Sequence, residues 1–125
     1  MTAIAEAAAV ALLAALAALQ LCVAAGAPWG RLVWGGAHRV LPRRLRIGSA
    51  VSVVLYAGFS WLLLARAGAL PGSDLPFVVV STWVLLAYFC LGIVMNLASR
   101  SRPERRTMTP VCTLLAVATL IVALG

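Results

Sequence analysis

The sequence predicts an all-α fold, a four-helix bundle that spans a membrane as a single transmembrane domain over residues 1–125. Three observations carry this reading. Of the 125 residues, 64% are hydrophobic and 10% charged, against roughly 25% charged in an ordinary soluble domain. Four apolar runs, three of them near the roughly 20 residues that a bilayer core requires, are divided by stretches rich in Gly, Pro and Arg. All ten basic residues are arginine, placed mostly between those runs.

The first span is expected over about 3–25, where an Ala/Leu-rich run is ended by Gly26 and Pro28, which interrupt helical hydrogen bonding. Glu6 and the absence of Lys or Arg before Ala7 argue against a signal peptide, whose n-region is positively charged. The second span is expected over 46–67, with Gly68 as its stop. The third covers 75–98, with Asp74 as N-cap and Pro76 in the first turn. The fourth is expected over 108–124, with Thr109 and Pro110 near its start. Pro110 to Gly125 is a short run, so Thr107 and Met108, or the Arg105-Arg106 turn, must lengthen it.

Charge sets the expected orientation, because Arg in short loops stays on the cytoplasmic side. The connection 26–45, with Arg46 at its edge, carries Arg31, Arg39, Arg43, Arg44 and Arg46, and 99–107 carries Arg100, Arg102, Arg105 and Arg106 against Glu104. On the other side, Arg66 is opposed by Glu6 and Asp74. Both termini are therefore expected outside and both arginine loops inside. Trp61 and Trp83 fall toward the outer ends of their helices, and Trp29 and Trp34 in the inner loop, matching the interfacial preference of tryptophan. The net charge of +7 is read as topology and contact with anionic lipid. Nucleic acid is excluded as a partner, since no groove-reading element or solvated basic face is present.

Candidate site residues follow from helical spacing. Ser49, Ser52, Tyr56 and Ser60 share one face of the second span; Ser81, Tyr88, Gly92, Asn96 and Ser99 form a stripe on the third, and Cys112, Ala116, Thr119 and Ala123 on the fourth. Such stripes seal membrane helices against one another, and they also line cavities between helices. Tyr56, Tyr88, Ser52, Asn96 and Gln20 are the expected lining of a ligand cavity. Gln20, Ser49, Ser52, Asn96, Thr109 and Thr113 lie at similar depth beneath the arginine loops, as a polar vestibule would. Arg39, Arg43, Arg44 and Arg46, with Trp29 and Trp34, are the expected contacts to headgroups or anions, since guanidinium suits phosphate and carboxylate geometry. Glu6 lies near the outer interface, where it stays hydrated or pairs with Arg66.

The stretch GAPWGRLVWGGAHRVLPRRLRIGS is dense in turn-forming and interfacial residues, and is expected to fold back against the bundle. It contains His38, the sole histidine, which has no Asp, Glu or Cys close in sequence to make a metal site or catalytic triad. Cys22, Cys90 and Cys112 lie in apolar runs and read as small core residues. No HExxH, nucleophile elbow, phosphate loop or pair of intramembrane carboxylates is found. The expectation is therefore no catalytic residue, no metal and no cofactor.

The segments GAPWG, WGGAH, LPRRLRIGS and NLASRSRPERR resemble those of a group of small, uncharacterised bacterial membrane proteins. The resemblance covers most of the chain and implies a multi-pass protein of the bacterial inner membrane, with no site residues to carry over. Small multidrug resistance transporters also have four helices and an acid in the first, but Glu6 is shallower and the loop charges here are far from balanced. Small fluoride channels share the size, but their glycine-rich helix break and polar track are not found. The functional expectation is a non-enzymatic membrane protein that binds a lipid or small apolar ligand, or packs against a membrane partner or a second copy. A small oligomeric transporter or channel is the alternative.

Overall fold

In the computed structural model, which describes residues 2–125, helix α1 spans Thr2–Ala24, α2 Arg43–Arg66, α3 Pro76–Leu97 and α4 Arg102–Leu124. All four are long and apolar enough to cross a membrane, and together they mark the chain as a multi-pass membrane protein. The helices form a ring in chain order. α1 packs firmly against α2 and α3 against α4; α1 and α4 close the ring, and α2 meets α3 least. A Cβ on Gly125 would lie 3.0 Å from Thr2 Oγ1, so both termini share one end. The two arginine-rich connections share the other, called here the arginine end.

Core packing is concentrated at the terminal end and middle of the bundle. Ala5, Ala9 and Leu13 of α1 meet Leu62, Leu63 and Ala65 of α2, Val78 and Leu85 of α3, and Leu115, Ala118 and Val122 of α4. The alanines let the backbones of α1 and α4 approach closely, the usual basis of helix association in lipid. Outward faces are apolar as well: Ile4, Val54, Phe77 and Leu124 are each 70% or more exposed. In water such surface would be an aggregation hazard; hydrocarbon accommodates it.

Two helix starts differ from expectation. α2 begins at Arg43, three residues before Arg46, because Pro42 in an extended conformation (φ −67°, ψ 161°) enters the helix as its N-cap. The larger difference is at α4, which begins at Arg102 and not near 108. Ser101 is its N-cap, its side chain accepting from the Glu104 backbone N–H, and Pro103 fits in the first turn. The helix then runs straight through Pro110, as membrane helices can when neighbours and side chains compensate for the lost bond. α3 starts at Pro76 with Leu75 as its N-cap, so Asp74, the expected N-cap, stands one residue before the capping position. Arg66 donates from Nη2 to the Ala123 carbonyl on α4 (3.0 Å), tying the terminal ends of two helices together; of the two expectations for Glu6, hydration or a pair with Arg66, the pair is not formed.

The connection between α1 and α2 folds into two short 3-10 turns, Gly30–Leu32 and Trp34–Gly36. Val23, Val33 and Leu41 form a small second core that holds it under the end of α1. Its other anchor is α4: Ser101 Oγ donates to the Arg31 carbonyl at 2.6 Å. Gly36 sits at the joint with φ +72°, and a Cβ there would collide with the Ser101 side chain. Only glycine satisfies both conditions.

Candidate functional site

At the arginine end, between α2 and α3, the bundle carries an open cleft of about 560 Å³, within the roughly 300–1,000 Å³ usual for small-molecule sites. Leu16 and Gln20 of α1, Ser52 and Tyr56 of α2, the α3 face from Tyr88 to Asn96, and Glu104, Met108, Cys112 and Leu115 of α4 form its walls. Leu32 to Gly35 of the folded loop complete them.

All five residues expected to line a ligand cavity, Gln20, Ser52, Tyr56, Tyr88 and Asn96, border this cleft. Helical periodicity is the cause, since Ser52 and Tyr56, or Tyr88, Gly92 and Asn96, are one turn apart on one face. Their hydrogen bonds divide by role. Ser52 Oγ returns to the Gly48 carbonyl (3.0 Å) and Ser60 Oγ to the Tyr56 carbonyl (2.9 Å), so these hydroxyls satisfy themselves within α2. Asn96 Nδ2 lies 3.1 Å from Cys112 Sγ, joining α3 to α4. Gln20 Nε2 reaches Tyr56 Oη at 3.5 Å, and Gln20 Oε1 has no partner although it is buried.

The polar vestibule is only partly assembled. Ser49 is fully buried and accepts from Trp34 Nε1 at 2.9 Å, and exposed Thr113 bonds back to the Thr109 carbonyl. Neither borders the cleft. Aromatic rings fill the mid-depth of the bundle, with Phe59 centred 5.5 Å from Tyr88, 6.0 Å from Phe89 and 6.2 Å from Tyr56. Beyond them lies the packed apolar core.

Trp34, expected at the headgroup level, is partly exposed and also forms part of the cleft wall. Its backbone is left-handed (φ 53°), a conformation that costs a bulky residue about 1–3 kcal/mol. The bond to Ser49 and the indole lying against Gly48, where a Cβ would come within 2.8 Å of the ring, hold it there. Trp29 is exposed, as are Arg39, Arg43 and Arg44. Arg46 is half-buried and donates from Nε to the Leu41 carbonyl at 2.8 Å, closing the turn into α2. The arginines that share a pocket are others: Arg31, Arg100 and Arg102 border a second one with Gly36 and Ser101.

Comparison with protein-family models, curated proteins and solved structures finds no match.

Glu104 is the cleft residue that sequence reasoning missed. It is 8% exposed, and its Oε2 has no hydrogen-bond partner. The carboxyl faces the Gly35 backbone N–H and the Ser99 hydroxyl, both of which favour its charge, but burial outweighs them and pushes its pKa above the usual value. Charge counting treats this residue as a counterweight to four neighbouring arginines. Its seclusion arises from the loop 30–36 closing over it, a contact between distant parts of the chain that local pattern does not contain. Among the described residues, no three His, Cys, Asp or Glu come together as metal ligands.

Proposed function

We propose that this chain is a non-enzymatic protein of the bacterial inner membrane that holds a lipid or other small, largely apolar molecule in the cleft at its arginine end. The observation that carries the proposal is the cleft itself, apolar over most of its wall and bordered by the polar groups of Gln20, Ser52, Tyr56, Tyr88 and Asn96. A few placed polar groups in a mostly apolar cavity orient a ligand. Binding is favoured over passage because the aromatic cluster of Tyr56, Phe59, Tyr88 and Phe89, with the core beyond it, fills the rest of the bundle.

Native mass spectrometry of the protein extracted with its lipids tests this. A retained adduct is expected in the wild type and in Val54→Phe, whose site lies on the exposed face of α2. It should be lost in Ser52→Phe, which puts a ring into the cleft. Equal retention in both variants would place the adduct on the outer surface of the bundle and count against a cleft ligand.

A further inference from the structure

We propose that the cleft takes an organic ammonium with an apolar body, and that the Glu104 carboxylate is the counter-ion that holds its charged end. The inference deepens the reading of the cleft as a ligand site and rests on it.

A carboxylate more than nine-tenths buried with an unpartnered oxygen is costly, so native proteins pair nearly all such groups. The ready structural explanation would be a capping box, because Ser101 and Glu104 stand in the S-x-x-E spacing at the start of α4, and the acid at the fourth position normally reaches back to the N-cap backbone N–H. Here that N–H is already taken: Ser101 N donates to Ser99 Oγ at 3.2 Å. The Glu104 side chain is therefore free of capping duty, and it borders the cleft.

Nor does a neighbouring arginine claim it. Arg105, on the same helical turn, donates from Nη1 to the Ser99 carbonyl at 3.2 Å. Gln20 adds a second buried polar atom without a partner, Oε1, on the same cleft. A ligand that satisfies Glu104 must donate a hydrogen bond, and one that also carries positive charge makes the stronger, charge-assisted bond and balances the buried carboxylate. The rest of the wall, including Tyr56, Tyr88 and Phe89, fits an alkyl or aryl body. An anionic ligand would meet like charge at Glu104, and a neutral donor would partner the oxygen but leave its buried charge unbalanced.

The test uses the purified full chain in neutral maltoside micelles at pH 8, with octylammonium, octanol and octanoate as probes. Unfolding is followed as each is titrated, since a ligand bound to the folded state raises the midpoint. Octylammonium should produce a given rise at about one tenth of the octanol concentration, the preference expected of one charge-assisted hydrogen bond. Glu104→Gln should abolish that preference and leave the octanol response in place. Should Glu104→Gln not fold, Glu104→Asp keeps the charge but withdraws it by one methylene, and the preference should shrink.

Equal response to octylammonium and octanol in the wild type would overturn the inference and leave the apolar cleft standing. Stronger binding of octanoate would overturn it in favour of an anion site. A preference that survives Glu104→Gln would remove Glu104 from the site. No response to any probe would remove the ligand reading and this inference together.

Discussion

Glu104 and Gln20 show how differently two buried polar residues announce themselves. Gln20 is legible in the sequence because an amide inside an apolar run is conspicuous, and its depth follows from helical rise. Glu104 sits among arginines, where an acid looks solvated, and only the closure of the loop over α4 takes it out of water. The same burial gives it a pH signature. It lies in the first turn of α4, before the apolar part of the helix that begins at Met108, and its raised pKa means that the folded protein holds this proton more tightly than the unfolded chain does. With the cleft empty, this residue's contribution to stability is therefore greatest below the unfolded value and is lost as pH rises through the raised one. Cation binding runs the opposite way, because it requires the carboxylate. The groups around it are the Gly35 N–H and the Ser99 hydroxyl, the Arg105 guanidinium on the same turn, and Tyr56, Tyr88 and Cys112 on the same cleft; Glu104 is the one carboxylate among them. The octylammonium preference should fade as pH falls through the raised Glu104 value while the octanol response holds. In the ligand-free protein the unfolding midpoint should drift upward over the same interval, and Glu104→Gln should flatten both trends.

At the level of elements, the four spans are legible because each is an apolar run ended by glycine, proline or charge, and tertiary context has little scope to override so long a signal. The fourth shows where that fails. Thr109-Pro110 looks like a helix start by local chemistry, yet Ser101 with Pro103 and Glu104 supplies a better one, and the interior proline is carried within the helix. What decides the competition is again the loop, since Ser101 serves two elements: its hydroxyl accepts from the Glu104 N–H (3.4 Å) and donates to the Arg31 carbonyl (2.6 Å). Ser101→Ala removes both interactions. The cap alone is worth about 1 kcal/mol, and the buried cleft wall loses its anchor with it. Amide hydrogen exchange is the measurement suited to this, because it resolves local opening from global unfolding. Faster exchange is expected together in residues 31–36 and 102–105, with the middle of α1 and α3 unchanged. Acceleration confined to the start of α4 would mean that Gly36 and the small core of Val23, Val33 and Leu41 hold the loop without Ser101.

Over the whole molecule, the two ends of the bundle are built for different work. The terminal end is packed with alanine, valine and leucine and fastened by Arg66 to the last turn of α4. The arginine end is where the loop folds in and the cleft lies. Nine of the ten arginines belong to that end, and the energetic bias against moving them through a bilayer is the physical argument for placing it in the cytoplasm, with both termini outside. A cleft at that end would draw its ligand from the cytoplasmic side of the membrane or its inner leaflet. The orientation can be checked in cells with Cys22, Cys90 and Cys112 replaced by alanine and one cysteine restored at a time. Ser73→Cys, in the turn between α2 and α3, should react with a membrane-impermeant maleimide in spheroplasts. Ala37→Cys, in the exposed part of the folded loop, should react only after the membrane is opened. The reverse pattern would put the arginine end outside, and reaction at both sites in sealed spheroplasts would mean that the chain inserts in two orientations despite its charge.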